Sequence, residues 1–140
     1  MPYSRLLYHV VWATKHRDPV IIDAMINPIV RAIEQTARDS SVVVFAVGVM
    51  PDHIHVFAQV PPSLAPSSVI GQWKGASSYA ANSHGPPSPT KIAWQSGYGI
   101  HSVSQRGFDQ VRDYVQNQRE RHAARQIYSA YERCEETGPR

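Results

Sequence analysis

An α+β sandwich, in which an antiparallel sheet carries helices on one face, is the fold class this sequence predicts, and three observations predict it. Four short runs are rich in β-branched and aromatic residues. Two stretches between them carry apolar residues at helical spacing. The segments follow the order β, α, β, β, α, β and a terminal α. A chain of 140 residues buries one ordinary core, so a single domain spanning residues 1–140 is expected, ending in a polar tail from about residue 128.

Residues 4–14 (SRLLYHVVWAT) read as a buried first strand closed by the polar turn Lys15-His16-Arg17-Asp18-Pro19. Ile22, Ile26, Ile29, Val30, Ile33 and Ala37 then recur at helical spacing as far as Asp39. Pro28 inside that pattern leaves two readings open: a kink, or a late start with Asn27 as N-cap and Pro28 at the first helical position. Residues 41–49 (SVVVFAVGV) and 53–60 (HIHVFAQV), separated by Met50, Pro51 and Asp52, form a predicted hairpin. After a Pro-rich loop, Ser67 or Ser68 caps a second helix carrying Val69, Ile70, Trp73, Ala76, Tyr79 and Ala80. Residues 82–90 (NSHGPPSPT) break it. Residues 97–104 (GYGIHSVS) are the fourth strand, and Phe108, Val111 and Val115 open a third helix expected to run to roughly Ile127. This order matches a split βαβ pair with right-handed crossovers, a ferredoxin-like sandwich with two helices on one face and a C-terminal helix added. Such a fold hosts many activities and does not decide between them.

Composition narrows the classes. The longest early apolar stretch, residues 6–13, is interrupted by Tyr8 and His9 and falls far short of the roughly 20 residues a spanning helix needs. With no secretory signal and a single Cys134, nothing calls for an oxidising compartment, and a cytoplasmic location is expected. A formal charge of +3 and a pI near 9.2 suit a polyanionic partner. The distribution is more informative: Arg106, Arg112, Arg119, Arg121 and Arg125 crowd one C-terminal segment.

Two groups of residues carry candidate chemistry. His53 and His55 flank Ile54 on a strand, so both imidazoles project from one face while Ile54 enters the core. Two neighbouring imidazoles can hold a divalent metal, although in a chain with 7 His the pair taken alone is better read as ordinary strand histidines. On the last helix, Tyr114 and Gln118 lie one turn apart on the same face and form a polar ridge with Arg121 and Arg125. A buried core tyrosine is the alternative. Lys74 and Trp73, with Arg5, Lys15 and Arg17, are candidates for phosphate contact and base stacking, with Trp73 better read as core. Asp52 is read as a turn residue ahead of a support for a metal ligand, and His9 and His101 as structural. For His122, a solvated helix face stands beside a role near the tyrosine motif.

MPDHIHV (residues 50–56), YHVVWATKHR (8–17), WKGASS (73–78), WQSGYG (94–99) and YVQNQ (114–118) together resemble the single-tyrosine transposases of the HUH nuclease superfamily, over nearly the whole chain. The resemblance implies a small bacterial insertion-sequence transposase that cuts and rejoins single-stranded DNA at element ends folded into hairpins. It implies His53 and His55 as the metal pair, Gln118 as third metal ligand, and Tyr114 as the nucleophile that forms a 5′-phosphotyrosine link. It further implies a divalent cofactor, Mg2+ or Mn2+, and a homodimer, in some relatives with composite active sites. Tyrosine ionises near pH 10, so such a site must position it and stabilise charge on the phosphate. No GxxxxGK[ST] phosphate loop is present, consistent with a phosphoester exchanged without ATP. A nucleic-acid-binding module of the same fold, without transposition activity, is the alternative. The residues after Gln118, Arg-Glu-Arg-His, are more basic than the resemblance leads one to expect, which leaves Glu120 without an assigned role.

Overall fold

The computed structural model describes residues 3–84, 91–124 and 127–134. Strands β1 (Leu7–Ala13), β2 (Val43–Met50), β3 (His53–Gln59) and β4 (Gly99–Val103) form one antiparallel sheet in the order β2-β3-β1-β4. Helices α1 (Asp23–Asp39) and α2 (Pro66–His84) provide the crossovers and pack on one face, giving the ferredoxin-like sandwich the sequence predicts. Three further helices, α3 (Phe108–Gln116), α4 (Gln118–Ala123) and α5 (Ser129–Glu132), complete the described chain.

Strand alternation divides the sheet into two cores. Val10 and Trp12 of β1 and Ile54 and Val56 of β3 meet Met25, Ile29 and Ile33 of α1 and Ile70 and Trp73 of α2. The opposite face sets Leu7, Ala46 and Phe57 against Val111 and Val115 of α3. Because both faces of β1 and β3 are covered, those strands are buried almost throughout, polar His9, His53 and His55 included. An irregularity in the β2–β3 register between Val44 and Ala46 brings Phe45 against Phe57 and Phe108, at ring distances of 5.3 and 4.7 Å.

Several boundaries differ from those expected. The first helix starts at Asp23 and keeps Pro28 inside its second turn, so Asn27 is not its cap and the helix forgoes the one bond the Pro28 N–H would make. Its other end is closed by Val42 N donating to Ala37 O at 2.9 Å and Ser41 N to Arg38 O at 3.3 Å. Ser41 there takes the left-handed φ of 59°. The second helix begins at Pro66, a residue preorganised for the first helical turn, rather than after a Ser67 or Ser68 cap. It continues through Asn82 to His84. Asn82 does not end the helix but brackets the returning chain, donating from Nδ2 to Ile92 O and accepting from Ile92 N. Residues 85–90 of the expected break lie outside the described residues.

The third helix is not continuous to Ile127. Asn117, at φ −107° and ψ 32°, separates α3 from α4, and the Asp113 carbonyl accepts from both its backbone N–H and its Nδ2, at 3.1 and 3.0 Å. Among the described residues, no helix is long and apolar enough to cross a membrane.

Candidate metal and nucleophile site

The hairpin turn at Pro51-Asp52 fixes the register in which Met50 faces His53, and β3 then sends His53 and His55 to the face opposite α1 and α2. Ile54 between them is fully buried in the main core, as the alternation predicts. Both imidazoles are held from behind. His53 Nδ1 lies 2.6 Å from Asp52 Oδ1, and His55 Nδ1 lies 2.7 Å from Nε2 of His9 on β1. With an acceptor behind each Nδ1, both rings can carry their proton there and present the Nε2 lone pair forward, the tautomer a metal ligand requires. Nε2 of His53 is buried and makes no hydrogen bond of acceptable geometry. A buried imidazole nitrogen facing a carboxylate oxygen, Glu132 Oε1 at 3.1 Å, without hydrogen-bond geometry fits a divalent cation.

Asp52 therefore both forms the turn and orients a candidate ligand. His9 does more than fill the sheet, since its contact sets the orientation of His55. His101 pairs with His9 across β1 and β4, with ring centroids 6.1 Å apart.

The nucleophile candidate arrives from the other layer. Val111 and Val115 anchor α3 on the sheet, and Tyr114 between them is completely buried, with its ring 5.9 Å from that of His55. Gln118, 2% exposed, stays beside it despite the helix break, donating from Nε2 to the Tyr114 carbonyl at 2.8 Å. Its Oε1 lies 3.1 Å from His122 Nε2, so His122 faces the site rather than solvent. Close approach is what allows this: a Cβ on Gly48 of β2 would stand 2.3 Å from the Val115 carbonyl oxygen and 2.7 Å from Gln118 Cγ. Arg121 lies over the Tyr114 ring at 5.0 Å and pairs with Asp113 at 3.1 Å. Arg125, expected on the same ridge, lies outside the described residues.

One participant had no sequence signal. Glu132, in the segment expected as polar tail, brings its carboxylate into the middle of the group. Oε1 lies 3.1 Å from His53 Nε2 and 3.2 Å from His122 Nε2, His55 Nε2 is 3.2 Å from both oxygens, and Tyr114 Oη donates to Oε2 at 2.5 Å. His53, His55, His122 and Glu132 each offer a ligand atom, all within 4.8 Å of one another. Arg17 holds the segment in place, donating to the Glu132 carbonyl at 3.2 Å, and Cys134 packs against Val11 and Ala13. A cleft of about 720 Å3, lined by Arg17, Gln95, Ile127, Ser129, Glu132 and Arg133, gives solvent access to that carboxylate.

The electrostatics follow from this packing. Burial pushes the Glu132 carboxyl up, but the His53 and His55 contacts outweigh it and hold the group well below the ordinary carboxylate range. Burial also opposes protonation of His53, yet Asp52 and Glu132 raise its pKa, whereas at His55 burial dominates and lowers it. Burial and then the bond to Glu132 push the Tyr114 hydroxyl upward, so in this arrangement it is a protonated, held phenol.

The remaining basic and aromatic candidates divide. Trp73, 1% exposed, stacks on Trp12 at 6.4 Å and belongs to the core. Lys74 Nζ donates to the carbonyls of Gln95 and Gly97 at 2.9 and 3.1 Å, tying down the loop before β4. Arg5 donates to Gln59 and Gln105, while Lys15 is exposed on a single-turn helix at the end of β1.

Comparison with known proteins sets this geometry in a family. The family described as Transposase IS200 like matches residues 2–118. The ISDra2 transposase TnpA of Deinococcus radiodurans is 26% identical over 121 residues, covering 84% of this chain and 86% of that protein. The transposase of insertion sequence element IS200 from Salmonella typhimurium is 25% identical over 117 residues, covering 81% and 76%. Among solved structures, a putative transposase of Deinococcus radiodurans superposes with a TM-score of 0.64 at 27% identity, covering 84% of this chain and 93% of that one. A REP-associated tyrosine transposase, solved bound to a REP hairpin, has the same fold, with a TM-score of 0.66 at 17% identity over 99% and 92% of the two chains. With most of its length matched, and with the sheet and helices of these structures, this chain belongs to the IS200-like transposase family.

Proposed function

We propose that this transposase cleaves and rejoins single-stranded DNA at hairpin-bearing element ends through a 5′-phosphotyrosine on Tyr114, with a divalent metal, Mg2+ or Mn2+, held by His53, His55 and Gln118. The observation that carries the reading is the meeting of a buried tyrosine hydroxyl and a buried histidine pair at one carboxylate, within one chain. When bound, the metal supplies charge stabilisation at the scissile phosphate. The protein does the rest. Tyr114 Oη attacks phosphorus as the bond to the 3′ oxygen breaks, its proton passes toward Oε2 of Glu132, and the 3′ oxygen leaves as a hydroxyl after taking up a proton. A 3′ hydroxyl of another strand reverses the exchange, so the bond energy is conserved without ATP. Asp52 and His9 fix the imidazoles in one orientation, so little reorganisation accompanies the step.

Each chain carries one such tyrosine, and two DNA ends must be exchanged, so the working unit is a homodimer acting in the cytoplasm. Mixing His53→Ala with Tyr114→Phe protein decides the arrangement: restored cleavage marks composite sites, and none marks sites completed in cis.

The test uses labelled single-stranded oligonucleotides tiled across the DNA flanking the gene, incubated with Mn2+ and resolved on a denaturing gel. A covalent band with the wild type and none with Tyr114→Phe is expected. Tight binding with no band on any oligonucleotide would replace this reading with that of a binding module.

A further inference from the structure

The His53–His55 pair is not the whole donor set around Tyr114. His122 and Glu132 lie beyond residue 118, where the family match ends, and the fold nevertheless brings both to the same point. Their arrival is built rather than incidental. His122 sits on α4, which the break at Asn117 re-aims, and Glu132 sits on a segment secured by Arg17 and by Cys134. The β4 backbone is fitted to that segment as well, since a Cβ on Gly99 would stand 1.8 Å from the Arg133 carbonyl oxygen.

We propose that His122 and Glu132 are themselves metal ligands, completing with His53 and His55 a site of three imidazoles and one carboxylate that favours manganese or zinc over magnesium. This rests on the metal-dependent reading above, and it changes which residues do the binding. Gln118 then acts as a positioning residue: its Nε2 is committed to the Tyr114 carbonyl, and its Oε1, 3.1 Å from His122 Nε2, gives up that contact when the nitrogen takes the ion. The preference among cations follows from ligand chemistry. Imidazole nitrogen suits Mn2+ and still more Zn2+, whereas Mg2+ demands an octahedron of oxygens that this cluster does not offer. The carboxylate can serve two partners, with Oε1 facing His53 and His122 and Oε2 facing the Tyr114 hydroxyl, so ligation would tie the position of the nucleophile to the presence of the ion.

The test is isothermal titration of the chelator-treated, full-length protein with MnCl2, ZnCl2 and MgCl2, without DNA. Wild type should bind Mn2+, bind Zn2+ more tightly, and bind Mg2+ at least about tenfold more weakly than Mn2+. Glu132→Gln and His122→Ala should each weaken Mn2+ by roughly 10-fold or more, and His53→Ala should abolish binding. Gly99→Ala, which touches no ligand but pushes the terminal segment away, should weaken Mn2+ as Glu132→Gln does, with circular dichroism showing that each variant is folded. Mn2+ affinity within about twofold of wild type in either Glu132→Gln or His122→Ala, with binding still lost in His53→Ala, would overturn this four-ligand set and leave the metal-dependent reading standing. A loss in Gln118→Ala with none in those two variants would do the same and restore Gln118 as the ligand. A wild type that binds none of the three cations would remove both readings.

Discussion

The hydroxyl of Tyr114 donates a 2.5 Å hydrogen bond to Oε2 of Glu132, a residue 18 positions further along the chain and carried by a different helix. The bond joins the α3 layer to the terminal segment over the histidines of β3. It also holds the phenol in its protonated form, since burial and the adjacent carboxylate both disfavour the phenolate. Tyr114 Oη accepts a second bond, from the Tyr128 backbone N–H at 3.1 Å, so the oxygen fastens the segment at two points.

Tyr114→Phe removes both bonds, leaving the Tyr128 N–H without its acceptor and Glu132 Oε2 with His55 alone. A loss of about 1–2 kcal/mol in unfolding free energy is expected, readable by urea denaturation, with increased protease sensitivity at residues 127–134. Unchanged stability would show that these bonds hold nothing in place.

Acid should destabilise the metal-free protein well before its carboxylates protonate. Burial, then the neighbouring His55 and His101, lowers His9 from 6.5 to about 3, and burial lowers His55 as well. Both are neutral when folded and take up protons on unfolding below pH 6.5, so their contribution is complete above that value and is lost as pH falls toward 3. His53, with its raised pKa, has the opposite sign: its contribution is present below 6.5 and fades as pH rises. The large lowering at His9 sets the net direction. Below pH 4.5 the loss of the Glu132 ion pairs continues the decline. Thermal melts in chelator should fall steadily between about pH 6.5 and 4, and His9→Gln should flatten that limb.

Gly48→Ala places a methyl group 2.3 Å from the Val115 carbonyl oxygen, against backbone that cannot rotate away. The end of α3 and the start of α4 must then lift from β2. A cost of roughly 1–3 kcal/mol is expected, together with displacement of Gln118, which amide hydrogen exchange at the Asn117 break would detect.

Trp73→Ala distinguishes core from DNA contact. With its ring stacked on Trp12 and edged by the main core, truncation should cost about 3–5 kcal/mol in unfolding free energy. Weakened binding of single-stranded DNA by a variant of unchanged stability would instead place Trp73 at the nucleic-acid surface.

Much was legible in the sequence because it is written in local periodicity. The alternation that sends His53 and His55 outward and Ile54 inward depends only on the geometry of an extended strand, and the two-residue turn at Pro51-Asp52 fixes the hairpin register without distant contacts. The apolar spacings of α1 and α2 likewise determine which faces they bury, and so the order and layering of the fold. Tertiary structure decided what local pattern cannot carry. The break at Asn117 is a departure of one residue's dihedral angles from the helix, where periodicity alone runs on. The roles of His9 behind His55, of Lys74 beneath the loop at Gln95 and Gly97, and of Gly48 beneath α4 exist only once the layers are stacked. Glu132 is the sharpest case. In sequence it is one acid in a polar tail, and it becomes the meeting point of three imidazoles and a phenol because Arg17, Cys134 and Gly99 dock that tail onto the sheet.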